Sequence, residues 1–264
     1  MSDFIIGTAN FTQPYGSGNS PLEQTEIISI LECALNFGIR DLDTAENYGS
    51  LEKIIPKTLL DQFRVRTKIV IKNDSVIIRE CDSILEKFKT VKAVLIHNAE
   101  EISLDALSES LAIMKANLNG SHAGVSIYNK TEILNESNID AVQLPFNILN
   151  DPLKLIPSNV YEDLDIIVRS VFLQGVLLKK RIPKENPQLT LIREYINLLA
   201  RAHEMTATEF LLASVKSKNL TPVLGFRNFA QFKEILSMYI NLPLIKSEFR
   251  IVTQPSIFDP RQWK

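Results

Sequence analysis

Short runs of β-branched and aliphatic residues alternate along the chain with longer runs whose apolar positions recur at helical spacing. Runs of the first kind predict buried strands, and runs of the second kind predict amphipathic helices. Strands are predicted at residues 4–9, 39–43, 63–72, 91–97, 122–128, 140–146, 165–172 and 221–226. Helices are predicted near residues 21–38, 50–60, 75–88, 104–118, 130–136, 152–164, 189–203, 207–216 and 228–239.

This strand–helix alternation predicts a parallel sheet covered by helices. A doubly wound open sheet and a closed barrel both satisfy the pattern. Eight repeats within 264 residues favour the barrel, and no strand is followed by the GxGxxG sequence typical of a dinucleotide-binding open sheet. The most linker-like stretch, residues 179–188, is interpreted as a long loop. The prediction is therefore an α/β protein, a single (β/α)8 TIM barrel spanning residues 1–264.

Composition and charge narrow the classes of partner. Hydrophobic residues make up 45% and charged residues 23%, values that exclude a disordered chain. The net charge of −2 leaves no basic surplus to bind nucleic acid or an anionic membrane. Two cysteines without a CxxC pair and three scattered histidines indicate neither a disulfide framework nor a metal site. With no signal-peptide pattern and no long apolar run, the interpretation is a soluble cytoplasmic protein.

Barrels place their chemistry at the carboxyl ends of the strands, and four polar residues are candidates there: two where strand two ends and runs on, one carried by strand three, and one where strand four ends. They are Asp43, Tyr48, Lys68 and His97. A Lys ammonium lowers the pKa of a nearby tyrosine, ordinarily about 10, and an aspartate can serve as counterion to that ammonium. A neutral histidine can hydrogen-bond a substrate oxygen. The set suits proton donation to a carbonyl group that receives a hydride; Lys72 is the alternative lysine on strand three, and the Thr-Lys context favours Lys68.

Several segments, in chain order, resemble the aldo-keto reductase family nearly from end to end. The most specific is GIRDLDTAENYG at 38–49, in which an Asp precedes a Tyr by five residues. TKI at 67–69 and LIHN at 95–98 resemble the strands that carry the family's lysine and histidine. The other similar segments are GTANFTQPYG at 7–16, GVSIYN at 124–129, AVQLPFN at 141–147, RSVFLQGVLL at 169–178 and LGFRNFAQFKEI at 224–235.

The resemblance implies an NADPH-dependent oxidoreductase that reduces an aldehyde or ketone to an alcohol. It implies that Tyr48 is the general acid, that Lys68 and Asp43 tune it, and that His97 orients a small carbonyl substrate, such as a sugar derivative or an aromatic aldehyde. It also implies a set of cofactor-binding residues. These are Ser126 and Gln143 at the nicotinamide amide, Ser170, Phe172 and Gln174 beside the pyrophosphate, and Gly225, Arg227 and Gln231 at the adenosine and its 2′-phosphate. The guanidinium of Arg227 favours NADPH, since its geometry matches a phosphate.

Three residues depart from the family's usual pattern. Ile127 replaces an Asn at the nicotinamide amide, Arg169 replaces an aromatic residue stacked on the nicotinamide, and Ile235 replaces an Asn near the adenine. The departures at Ile127 and Arg169 leave open an NADPH-binding barrel with little turnover, serving as a redox sensor or regulatory protein. A lyase with a Schiff base on Lys68 is a third hypothesis, which a paired Asp43 disfavours because it would keep the ammonium charged.

Four aromatic residues are predicted on loops at the barrel mouth: Phe11, Tyr15, Phe146 and Phe172. Two interpretations of them remain open. They can belong to the hydrophobic core, or they can line an apolar pocket for the substrate.

Overall fold

A computed structural model describes residues 4–14, 20–136, 138–151, 156, 164–178 and 187–245. Within these ranges eight parallel strands close into a barrel, each paired with the next and the last paired with the first. This arrangement confirms the predicted (β/α)8 fold. The strands are β1 Ile5–Gly7, β2 Asp41–Asp43, β3 Arg64–Ile69, β4 Val91–Ile96, β5 His122–Ser126, β6 Ala141–Pro145, β7 Asp165–Arg169 and β8 Thr221–Leu224.

Seven α-helices lie in the described part of the chain: α1 Gln24–Asn36, α2 Lys57–Leu60, α3 Asp74–Lys87, α4 Leu104–Asn117, α5 Pro187–Ala202, α6 Ala207–Lys216 and α7 Phe229–Asn241. Short 3₁₀ helices cover Glu46–Tyr48, Leu51–Lys53, Thr131–Asn135 and Val176–Leu178. None of the described helices is both long enough and apolar enough to cross a membrane.

Four of the described helices, α3, α4, α6 and α7, start at a residue whose side chain caps the first turn. The predicted bounds of α6, 207–216, are confirmed. The helix begins there because Thr206 and Glu209 form a reciprocal capping box at its first turn. Asn73, Ser103 and Asn228 accept hydrogen bonds from the first turns of α3, α4 and α7. These caps satisfy backbone N–H groups that the helix itself cannot pair.

Two helix predictions are wrong. The helix expected over 50–60 is a 3₁₀ turn followed by the single turn of α2, because Pro56 lacks an N–H group and its ψ of 133° is not helical. The helix expected over 130–136 is a 3₁₀ helix. The helix expected over 152–164 and the loop at 179–188 fall almost wholly outside the described residues.

The barrel interior is built from alternate residues of each strand. Near its middle, Ala93, Leu95 and Ala141 form a small apolar cluster separate from the main core. Gly124 allows the closest approach there, because a Cβ atom at this position would lie 1.9 Å from the carbonyl oxygen of Ala141. The main hydrophobic core lies outside the strands, against the helices.

The amino-terminal end of the interior is charged. Arg66, which is buried, pairs with Asp41 at 2.6 Å and with Asp165 at 3.2 Å. His122 Nδ1 lies 3.7 Å from the same Asp165 carboxylate, and Arg64 also bonds Asp41. We call these five residues the floor cluster, since they close the end of the barrel opposite the carboxyl ends of the strands.

Candidate active site

The carboxyl ends of β2 and β3 bring Asp43 and Lys68 into a buried ion pair. Lys68 Nζ donates hydrogen bonds to both carboxylate oxygens of Asp43 at 2.8 Å and to the carbonyl oxygen of Thr44 at 2.9 Å. Burial lowers the pKa of Lys68, and the adjacent carboxylate opposes that shift. The ammonium is therefore fixed in position by three acceptors inside the barrel.

Gln143, on β6, completes the environment of this pair. Its Nε2 donates a hydrogen bond of 2.6 Å to Asp43 Oδ1. Because an ionised carboxylate only accepts hydrogen bonds, this contact assigns the amide orientation. Gln143 Oε1 is buried and has no hydrogen-bond partner among the described residues.

Tyr48 follows β2 on the 3₁₀ helix Glu46–Tyr48 and is half-buried. The centre of its ring lies 5.4 Å from Lys68 Nζ. Gly49 ends this turn with a φ of 94°, and a Cβ atom there would lie 2.7 Å from Thr12 Oγ1. Only glycine suits this position, so the turn that carries Tyr48 depends on it.

His97 is the first residue after β4, and its backbone N–H donates to the carbonyl oxygen of Ile69 at 2.8 Å. Burial and the positive charges of Lys68 and Arg169 together lower the pKa of His97 to about 4, although the Asp43 carboxylate opposes the shift. The imidazole is therefore neutral at neutral pH. A neutral ring can still donate a hydrogen bond to a substrate oxygen.

Arg169 ends β7 and belongs to the same group of charges. Its guanidinium carbon lies 4.0 Å from the centre of the Tyr128 ring, and Nη2 donates to the carbonyl oxygen of Ile127 at 3.2 Å. Its charge acts on both Lys68 and His97. In the sequence, Arg169 stands out only as a replacement for an aromatic residue; the alternation of side chains along β7 is the signal that it faces inward.

The residues expected to hold the cofactor occupy three places. Ser126 and Gln143 are register partners where β5 meets β6. Ser170, Phe172 and Gln174 follow β7, and Ser170 and Gln174 take positive φ angles of 64° and 54°.

The third place lies between β8 and α7. Gly225 faces open space and Arg227 is exposed. Gln231 Oε1 accepts a hydrogen bond of 2.7 Å from the backbone N–H of Arg227, so this side chain holds the loop itself. Glu26 of α1 also reaches this loop, where it accepts from the backbone N–H of Phe229.

The structure distinguishes between the residues that the sequence left as alternatives. Lys72 is exposed and lies beyond the end of β3, whereas Lys68 is buried within it. Phe11 and Phe146 are buried in the main core, and Phe172 is half-buried against it. Tyr15 falls outside the described residues. The described residues contain no group of three or more His, Cys, Asp or Glu side chains placed to hold a metal ion.

Comparison with known proteins identifies the family and supports the fold. A family model described as the aldo/keto reductase family matches residues 3–256. The fold is similar to that of an aldo-keto reductase from Bacillus halodurans in its holo form, with TM-score 0.70, 15% identity and coverage of 99% of this chain and 95% of that one. It is also similar to a glycerol dehydrogenase from Gluconobacter oxydans, with TM-score 0.65, 14% identity and coverage of 93% and 94%. No curated protein sequence matches the chain. Because the family model spans almost the whole sequence, the chain belongs to the aldo/keto reductase family.

Proposed function

We propose that the protein reduces an aldehyde or ketone to the corresponding alcohol, with NADPH as the hydride source and Tyr48 as the proton donor. Family membership supports an oxidoreductase. The single observation that carries the proposal is the buried Asp43–Lys68 pair, whose ammonium lies 5.4 Å from the centre of the Tyr48 ring.

The proton chemistry follows from these positions. A phenol has a pKa of about 10, and a nearby ammonium stabilises its phenolate form, which makes Tyr48 a better acid. Asp43 keeps Lys68 charged and in place despite its burial. Neutral His97 donates a hydrogen bond to the carbonyl oxygen and so orients it toward the Tyr48 hydroxyl.

The residues present fit a nicotinamide cofactor. A bound nicotinamide would supply the hydride. Gln143 Oε1, a buried acceptor with no partner in the described ranges, matches the NH₂ group of a carboxamide, and Ser126 lies beside Gln143 in register. Ser170, Phe172 and Gln174 would contact the pyrophosphate from the loop after β7.

Gly225, Arg227 and Gln231, with the amino terminus of α7, would hold the adenosine and its 2′-phosphate. Phosphates are favoured at a helix amino terminus, and a guanidinium favours the 2′-phosphate that distinguishes NADPH from NADH. The Bacillus halodurans relative has been solved in a holo form, in keeping with a ligand-binding barrel.

The substrate we propose is a small carbonyl compound. The Gluconobacter oxydans relative is a glycerol dehydrogenase, which supports a substrate of the polyol or sugar-derivative class.

The test is the oxidation of NADPH at 340 nm with a panel of aldehydes and ketones, in wild type and in Tyr48→Phe. We expect wild type to consume NADPH and Tyr48→Phe to be slower by about a hundredfold or more, the scale of general-acid loss. NADPH binding should be retained. Tyr195→Phe, which removes a hydroxyl from an exposed tyrosine of α5, is the matched control.

Two outcomes would contradict the proposal. NADPH binding without turnover of any carbonyl would favour the redox-sensing or regulatory barrel. A wild-type rate in Tyr48→Phe would remove Tyr48 as the acid.

A further inference from the structure

Arg169 is a cation at the candidate site that forms no ion pair with any carboxylate of the described residues. Lys68 is paired with Asp43, and His97 is neutral. Within the described ranges the Arg169 guanidinium makes two contacts. It donates a hydrogen bond to the carbonyl oxygen of Ile127, and it stacks on the ring of Tyr128. Neither partner carries a formal charge, so among Asp43, Lys68, His97 and Arg169 one positive charge is left without a negative partner.

The position of this charge is well defined. Arg169 pairs in register with Pro145 of β6, two residues along from the pair that Gln143 forms with Ile167. Its guanidinium is held by stacking at 4.0 Å and by a hydrogen bond of 3.2 Å. A side chain positioned in advance loses less conformational entropy when it binds a ligand.

The guanidinium also retains capacity to bind. It has five N–H donors, and one nitrogen, Nη2, is engaged by the carbonyl oxygen of Ile127. Arg169 is half-buried, so a ligand can reach it while water screens it only in part. The geometry of the group matches the two oxygens of a carboxylate.

We propose that Arg169 binds a carboxylate carried by the carbonyl substrate, so that the preferred substrate is an oxo acid rather than a neutral aldehyde. This inference rests on the proposed function, because it assumes that the carbonyl group lies at Tyr48 and His97, and it requires the Arg169 guanidinium to face that group rather than stack on the nicotinamide. One net positive charge matches one carboxylate. A phosphomonoester would bring about two negative charges and leave an excess of negative charge near Asp43.

The kinetic test compares 4-oxobutanoate with its neutral methyl ester, and 3-carboxybenzaldehyde with its methyl ester. In wild type we expect kcat/KM to be about tenfold or more higher for each acid than for its ester, the scale of a charged hydrogen bond. In Arg169→Gln the ratio of kcat/KM for the acid to that for the ester should fall toward one. In Arg169→Lys the ratio should be intermediate, because the positive charge remains but the paired N–H donors of the guanidinium are lost. Lys72→Gln, which removes the same charge from an exposed lysine after β3, should keep the wild-type ratio.

A binding test separates this inference from the proposed function. Benzoate and benzamide are titrated by calorimetry into wild type and Arg169→Gln, each alone and with saturating NADP⁺. Tighter binding of benzoate by wild type, lost in Arg169→Gln, supports the anion site even if no carbonyl compound is reduced. Equal binding of benzoate by the two proteins overturns it.

The kinetic results can also overturn the inference. If kcat/KM fell equally for acid and ester in Arg169→Gln, Arg169 would contact the cofactor and not the substrate. A preference for glyceraldehyde 3-phosphate over both oxo acids would contradict the assignment of a carboxylate.

Discussion

Gln143 donates a hydrogen bond of 2.6 Å to the same Asp43 carboxylate that holds Lys68. These residues are 100 positions apart, and their strands, β6 and β2, lie on opposite sides of an eight-stranded barrel. The hydrogen bond therefore crosses the barrel interior. It joins Gln143, the proposed contact of the nicotinamide, to the Asp43–Lys68 pair proposed to tune Tyr48. Asp43 is the residue through which a change at either one would affect the other.

Lys68→Met should inactivate the protein at least as severely as Tyr48→Phe. The change removes the ammonium near Tyr48 and leaves Asp43 as a buried charge that, among the described residues, keeps the hydrogen bond from Gln143 alone. Loss of one partner of a buried ion pair costs about 3–5 kcal/mol of unfolding free energy. Urea unfolding and the NADPH oxidation rate measure the two effects.

Two further variants check this interpretation. Lys72→Met, at an exposed lysine beyond β3, should change neither quantity by much. The double variant Asp43→Asn with Lys68→Met should recover stability without recovering activity, because it removes the stranded charge. If Lys72→Met were the inactive one, the assignment of the strand-three lysine would be incorrect.

Arg227→Ala should weaken NADPH binding by about ten- to hundredfold and leave NADH binding nearly unchanged. The 2′-phosphate is the group that distinguishes the two cofactors, and charged hydrogen bonds to it are worth about 1.5–3 kcal/mol. Arg227 is exposed, so the low end of the range is expected. Calorimetric titration with each cofactor measures the difference. Equal losses would indicate that Arg227 contacts the shared pyrophosphate or adenine.

His97 should make the folded state less stable as the pH falls from about 6.5 to about 4. Burial, with the nearby charges of Lys68 and Arg169, lowers its pKa from 6.5 to about 4, so in this window the unfolded chain binds a proton that the folded protein does not. The stabilisation is fully present above the unfolded pKa and is lost as the pH falls through the folded one.

Chemical denaturation at a series of pH values, in wild type and His97→Gln, isolates this contribution. The variant should show a smaller loss of stability across the window, and His203→Gln, which leaves His97 in place, should behave as wild type. Identical slopes in wild type and His97→Gln would mean that His97 titrates normally.

Arg66→Met should destabilise the protein by about 3 kcal/mol without changing kcat/KM. The substitution leaves Asp165 and Asp41 without the buried guanidinium of the floor cluster, although Arg64 still bonds Asp41. The expected loss therefore lies at the low end of the range for broken buried pairs. Arg79→Met, at an arginine whose side chain is 73% exposed, is the matched control for urea unfolding. If Arg66→Met lowered kcat/KM as much as Tyr48→Phe does, the floor cluster and the candidate active site would be coupled.

Local sequence pattern was enough to predict the order of strands and the barrel, because strand and helix periodicities are properties of neighbouring residues. It failed over 50–60, where Leu51, Leu59 and Leu60 are buried at intervals that a helix would also allow. Pro56 interrupts the backbone there, and the buried leucines are reached from a 3₁₀ turn and one α-helical turn instead.

The sequence by itself determined the barrel and placed Asp43, Tyr48, Lys68 and His97 at the ends of successive strands, since that placement depends on strand order alone. Only the tertiary structure decided that Gln143 bonds Asp43 and that Arg169 adds its charge to the site. Both contacts join strands far apart in the chain, so they depend on how the barrel closes and on its register. The lowered pKa of His97 likewise arises from burial and from charges on other strands, which no local pattern records.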